Sequence, residues 1–263
     1  MRETHADITR RTALGQFGCG AAAMSALSLW PSSASAAPQG STPAGAAANG
    51  ADAALDRIAF AMLAHEPGRA TGLGVDTGEY AAWRGTFGKP GEAGESDYAA
   101  TLKQLLAQVR SYPREGLTPD QVVGFDVVES AFAKALEGMA LPYGSVAVGG
   151  WRNAPYNVVQ NVGGYIDYPR FFGSSQPLRA RDDAAYYLAR VSEIPRILAA
   201  ETDRLKFNRG MGLVPPDFLL DKTITQMESA LKNADDSYAG PLARSPFGSD
   251  ARALRTVRKI IAE

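Results

Sequence analysis

Two residues of this chain have the types and order that could open a catalytic metal site. His65 and Glu66, in the stretch AHEPGRATGLG at 64–74, match the first half of the zinc-protease pattern H-E-x-x-H. That pattern sets two imidazoles one helical turn apart so that both reach a single ion. The second imidazole position is held by Arg69, a cation that cannot ligate. Pro67 disfavours helix at the point where the motif needs one. His65 is therefore expected at a helix end or on the surface, where a protonated ring would complement the C-terminal helix dipole.

Other chemistries fare no better. The sequence contains no G-x-S-x-G nucleophile elbow and no EF-hand spacing of carboxylates. GLGVDTG at 72–78 is glycine-rich but does not match G-x-G-x-x-G, and it reads as a turn-rich loop. The stretch with the densest recognition chemistry is GGWRNAPYNVVQNVGGYIDYPRFFGSSQP at 149–177. Aromatic side chains there alternate with amides and an arginine, a mixture that can line a groove for an extended polar ligand such as a peptide. Trp151, Arg152, Tyr156, Gln160, Asn161 and Tyr165 are the candidate groove residues. The competing expectation is a long loop that packs its aromatics beneath itself.

The first 36 residues read as an export leader. Arg10-Arg11 precede a weakly apolar run, and Ala34-Ser35-Ala36 fits the small-residue cleavage rule, with Ala36 the last leader residue. This is the pattern of a twin-arginine signal and predicts a periplasmic or secreted protein. Gln16, Gly18, Gly20 and Ser25 interrupt the apolar run, so the expected membrane contact is through the signal alone. Removing residues 1–36 takes away Arg2, Arg10, Arg11, Glu3 and Asp7, and the net charge moves from −1 to −2. Neither value suits a nucleic-acid partner. The same cut removes His5 and Cys19, leaving His65 as the single histidine and no cysteine. Thiol catalysis and disulfides are then excluded, and a histidine-rich zinc site cannot be assembled.

Residues 37–50, APQGSTPAGAAANG, read as a flexible linker before a helical domain over 52–263. Leu55, Ile58 and Met62 share a helix face, as do Tyr98, Leu102, Leu105, Val109 and Tyr112. Thr118, Pro119 and Gln121 predict a capping box, followed by a stripe of Phe125, Val128, Phe132, Ala135 and Met139. Residues 181–208 predict a long helix or a broken pair. Tyr187, Val191, Ile194 and Leu198 lie on one face, and Pro195 would kink or restart it. Leu220, Ile224, Met227 and Leu231 form the stripe of another helix, and Ser249 is a cap candidate for a last one. Only SVAVGGW at 145–151 reads as strand. The expected class is all-α with at most one short β element. The last helix stops at Glu263 in mid-pattern, which predicts either a polypeptide that continues or a terminal helix that frays.

Four blocks in order, ATGLGVDTG, PYNVVQNVGGYIDYPRFFGSSQPL, DDAAYYLARVSEIPRIL and GLVPPDFLLDKTITQM, resemble the amino-terminal half of the "domain of unknown function 885" family. The resemblance spans about residues 52–263. It implies an exported helical protein related to gluzincin-type zinc peptidases, with this chain forming the amino-terminal helical half of a larger gluzincin-like fold. The family's metal helix, of H-E-x-x-x-G-H type, belongs to the carboxyl-terminal half and has no counterpart here. The resemblance therefore carries over no catalytic or metal residue. It implies no cofactor in this chain, zinc in the full-length family, a peptide substrate, and a missing carboxyl-terminal half as partner. Alone the chain would be inactive. The alternative is a stand-alone, non-catalytic module that binds peptides or a protein partner.

Overall fold

The computed structural model of the protein describes residues 43–148 and 154–262. Within them the chain is all-α. The export leader, with Arg10, Arg11 and Ala36, lies outside the described residues, as do Trp151 and Arg152. The first helix, α1, is Pro43–Leu63, so the second half of the segment read as linker is helical. Pro43 suits a first turn and the alanine-rich run that follows favours helix, which outweighs the glycines between them. Next come α2 (Pro67–Leu73) and a 3₁₀ helix (Gly78–Gly85). Gly74 closes α2 in the left-handed conformation at φ 71°, as a turn-rich GLGVDTG requires.

Two long helices follow, α3 (Gly91–Ser111) and α4 (Pro119–Met139). The capping box forms as expected: Gln121 N–H donates to Thr118 Oγ1 at 3.3 Å, and Thr118 N–H donates to Gln121 Oε1 at 3.0 Å. The SVAVGGW stretch does not become a strand among the described residues. It makes one antiparallel bridge, between Ser145 and Ala154. Beyond it lie α5 (Gly164–Ser174), α6 (Arg181–Gly210), α7 (Asp217–Lys232), the short α8 (Ala234–Tyr238) and α9 (Gly240–Arg244), and α10 (Ala251–Ala262). The helix α6 runs unbroken through Pro195, whose ring is exposed to solvent. The start of α10 is capped by Asp250 rather than Ser249: its Oδ1 accepts from the Arg252 and Ala253 N–H groups at 3.0 Å each.

Two hydrophobic cores result. The first joins α1, α3 and α4 through Leu55, Ile58, Met62, Tyr98, Leu102, Leu105, Val109, Phe125, Phe132 and Ala135. These are the stripes that the spacing picks out. The second joins α5, α6 and α8 to α10 through Phe172, Tyr187, Val191, Ile194, Leu242, Ala253 and Val257. The stripe of α7 behaves differently: Ile224, Met227 and Leu231 are exposed, Leu231 to 75%, and the helix packs through its other side around buried Thr223.

Candidate functional site

His65 and Glu66 are occupied by structural contacts. The helix α1 ends at Leu63, and the His65 N–H still donates to Met62 O at 3.1 Å. Its Nε2 lies 2.9 Å from Thr101 Oγ1, and its ring stacks on Tyr98 at 4.9 Å between centroids. Glu66 accepts from Arg69 at 3.1 Å and from the Tyr98 hydroxyl at 3.3 Å, while Arg69 also reaches Val148 O at 3.2 Å. Burial, with the Glu66 charge beside it, raises the Tyr98 hydroxyl well above its ordinary range, so it stays a donor. These residues tie α1 and α2 to α3. They do not fit zinc: one ring nitrogen is engaged, the carboxylate is paired with a cation, and no third ligand stands near. Among the described residues no group of three or more His, Cys, Asp or Glu is placed to hold a metal. Replacing His65 with Ala should cost less than about 1 kcal/mol of stability in urea unfolding and leave ligand binding intact. A large loss of binding would reinstate the ring as a functional group.

The described part of the 149–177 stretch folds over α6 and α7. The Tyr165 hydroxyl donates to Val159 O at 3.1 Å and to Gln226 Oε1 at 2.9 Å. Asn161 sits in the left-handed region at φ 64° and exchanges bonds with Gln226, N–H to Oε1 at 3.3 Å and Nε2 to Oδ1 at 3.4 Å. Asn161 and Tyr165 are thus brought together on one side chain of α7. Gln160 and Tyr156 are half-buried nearby in sequence, and neither lines either of the two cavities described below.

What positions these loops is a polar seam that spacing alone did not single out. Asp183, Tyr187, Arg190, Ile194, Ile197, Glu201, Arg204 and Asn208 step 4, 3, 4, 3, 4, 3, 4 along α6 and so share one face. Most of the polar members hold a loop. Asp183 accepts from the N–H groups of Arg179 and Ala180 at 2.8 Å each and from Arg84 at 3.0 Å. Burial opposes its charge, but these three donors win and hold the carboxyl below the usual carboxylate range. Arg190, fully buried, donates to the carbonyls of Pro67, Trp83 and Thr86, to Thr71 Oγ1 and to Gln176 Oε1, at 2.6 to 3.2 Å. Its guanidinium lies 4.9 Å from the Phe87 ring centroid and 4.7 Å from that of Phe171. Burial pushes its pKa down to about 10, which leaves it charged at neutral pH. Farther along, Glu201 accepts from the Gly164 N–H at 2.9 Å, and Arg204 reaches Gly144 O at 3.5 Å. Asn208 donates to Asn157 Oδ1 at 2.9 Å, and Asn157 Nδ2 donates to Gly144 O at 3.3 Å.

That last group supports the wall of a cavity of about 510 Å³. One side is α4, with Ala131, Lys134, Ala135 and Gly138. The other is Leu141, the 143–147 segment, Ala154 and Pro155. Gly138 permits the close approach: a Cβ there would fall 2.9 Å from Val146 Cγ2. The lining is mostly apolar. Its one cation, Lys134, is paired with Glu137 at 2.9 Å and exposed. Such a cavity has the volume and polarity of a small-ligand or side-chain pocket. Of the stretch that the sequence marks for recognition, only Ala154 and Pro155 reach it. The signal that could have found it is the glycine on the apolar side of α4 opposite a proline–glycine turn, LPYGS at 141–145.

The profile of a bacterial protein family, described as "Bacterial protein of unknown function (DUF885)", matches residues 67–263. No curated protein and no solved structure gives a significant match.

Proposed function

Because this chain belongs to the DUF885 family of bacterial proteins, we propose that it is the helical, peptide-binding part of an exported, peptidase-like hydrolase. The observation that carries this reading is the 510 Å³ cavity between α4 and the 141–155 segment. Its walls suit an apolar side chain. Val146 makes no backbone hydrogen bond to a described residue, so its N–H and C=O are left for an extended chain laid along 145–147. The residues of this chain would bind and orient the peptide. Zinc and the attack on the amide belong, on this reading, to the carboxyl-terminal half that the resemblance implies, and that half would pack on the exposed stripe of α7. On this reading the segment that reads as a leader, with Arg10, Arg11 and Ala36, would direct the protein to the periplasm or outside the cell.

A stand-alone module that binds peptides or a partner without catalysis would use the same cavity, so one experiment addresses both. Fluorescence polarisation with a labelled mixed-sequence peptide pool and the full chain should show saturable binding. Leu141, at the cavity lip, is 48% exposed, and Leu141→Glu should weaken binding at least about tenfold, roughly 1.4 kcal/mol, without lowering the melting temperature. Val123, 59% exposed elsewhere on α4, is the control, and Val123→Glu should bind as the parent does. Absence of binding, or equal effects of the two changes, overturns the reading.

A further inference from the structure

A second cavity, of about 240 Å³, lies among α5, α6 and the start of α2. Three aromatic rings line it, Phe87, Tyr168 and Phe171, with Glu201 and Asp167 as its charged groups and Gly68 and Gly164 completing the wall. Phe87 meets Tyr168 and Phe171 edge-to-face at 4.8 and 5.0 Å, which fixes the rings as a cluster. We propose that this cavity binds an organic monocation, an alkylammonium or guanidinium group, held between the aromatic rings and the Glu201 carboxylate. The site is independent of the peptide cavity and of the function proposed for it.

Four observations converge on that ligand class. First, aromatic faces attract cations through their quadrupole, and two of these rings already do so: the Arg190 guanidinium lies against both Phe87 and Phe171. Second, Glu201 lies largely out of solvent yet makes no ion pair among the described residues. Its one hydrogen-bond partner is the Gly164 N–H, at 2.9 and 3.2 Å. The start of α5 offsets part of that charge. The offset is incomplete, because burial still raises the carboxyl above its ordinary range and Asp167 beside it adds to the rise. A cation in the cavity supplies the missing partner. Third, the two glycines let the rings and the Glu201 carboxylate close in around the cavity. A Cβ on Gly164 would lie 2.7 Å from the Tyr168 ring and 2.9 Å from Glu201 Oε2, and one on Gly68 would lie 3.3 Å from Phe87. Fourth, the volume suits a short chain ending in one charged group and falls below that of a drug-sized pocket.

Calorimetric titration of the full chain tests this with three probes: n-butylammonium chloride, butan-1-ol, and the blocked tripeptide acetyl-Gly-Lys-Gly-amide. Butylammonium should bind saturably, at least about tenfold more tightly than butanol, which has the same shape without the charge. Glu201→Gln keeps an oxygen for the Gly164 N–H, so the start of α5 stays capped, and it should weaken butylammonium binding at least about tenfold. Asp167 is exposed, so Asp167→Asn should leave the fold intact, and it should weaken binding about two- to threefold. Should Glu201→Gln fail to fold, the butanol comparison and Asp167→Asn decide the matter. Tripeptide binding as tight as that of butylammonium identifies a lysine side chain as the natural source, and binding of the free amine alone identifies a small amine. Leu141→Glu should leave butylammonium binding unchanged, which separates this site from the peptide cavity. Butanol binding as well as butylammonium, or parental binding by either carboxylate variant, overturns the proposal.

Discussion

Replacing Arg190 with methionine will cost about 3–5 kcal/mol of folding stability. That is a large share of the 5–15 kcal/mol typical of a domain. The side chains are similar in length, so the effect is not chiefly one of volume. Arg190 serves five acceptors on three segments: the Pro67 carbonyl and Thr71 on α2, the Trp83 and Thr86 carbonyls on and just after the 3₁₀ helix, and Gln176 after α5. Methionine donates nothing, and each buried oxygen left unpaired costs on the order of 1–3 kcal/mol where water cannot reach it. The contacts of the cation with Phe87 and Phe171 are lost as well. Arg190→Lys should fall between the parent and the methionine variant. A single ammonium has three donors at one point and cannot span acceptors that the planar guanidinium reaches from three nitrogens. Urea unfolding followed by circular dichroism measures both. A methionine variant within about 1 kcal/mol of the parent would show that water replaces the guanidinium, and Arg190 would then not organise these loops.

The second large effect is expected at Phe132. Its ring is buried in the first core, between α1, α3 and α4, and Phe132→Ala should cost about 3–5 kcal/mol. The loss combines the transfer of the ring from water with the cavity it leaves, because neighbours on three helices relax only in part. Unfolding in urea should show a lower midpoint with an unchanged slope. A change near zero would mean that the helix face around Phe132 is not covered.

Phe132 and Leu231 show how much of this molecule the sequence carries. Both belong to apolar stripes stepping by three and four, and from periodicity alone the two helices are equivalent. In the first, the capping box at Thr118 and Gln121, the stripe from Phe125 to Ala135 and the matching faces of α1 and α3 all form as the pattern requires. In the second, Leu231 is exposed and its helix turns Thr223 and Gln226 towards the protein. The same limit appears in α6. Spacing marks Tyr187, Val191 and Ile194 as a face, and all three are buried. It gives no reason to place Arg190 or Asn208 inside, since isolated polar residues ordinarily face water. They are inside because their partners, the Pro67, Trp83 and Thr86 carbonyls and the Asn157 side chain, come from segments distant in the chain.

The recognition stretch was legible as chemistry but not as a place. Its amides and tyrosine are there, yet Asn161 and Tyr165 are committed to Gln226, some sixty residues away. The cavity against α4 is built mainly from residues that read as ordinary helix and turn, whereas the smaller one takes Gly164, Asp167, Tyr168 and Phe171 from this stretch. By itself, the sequence determined local matters: which residues share a helix face, where α4 begins, and that one histidine followed by Pro67 and Arg69 cannot form a zinc motif. These follow from backbone sterics, spacing and donor chemistry within a few residues. The tertiary structure alone decided which face is covered, which polar group is paired and where space remains, because each depends on a surface brought from elsewhere in the chain.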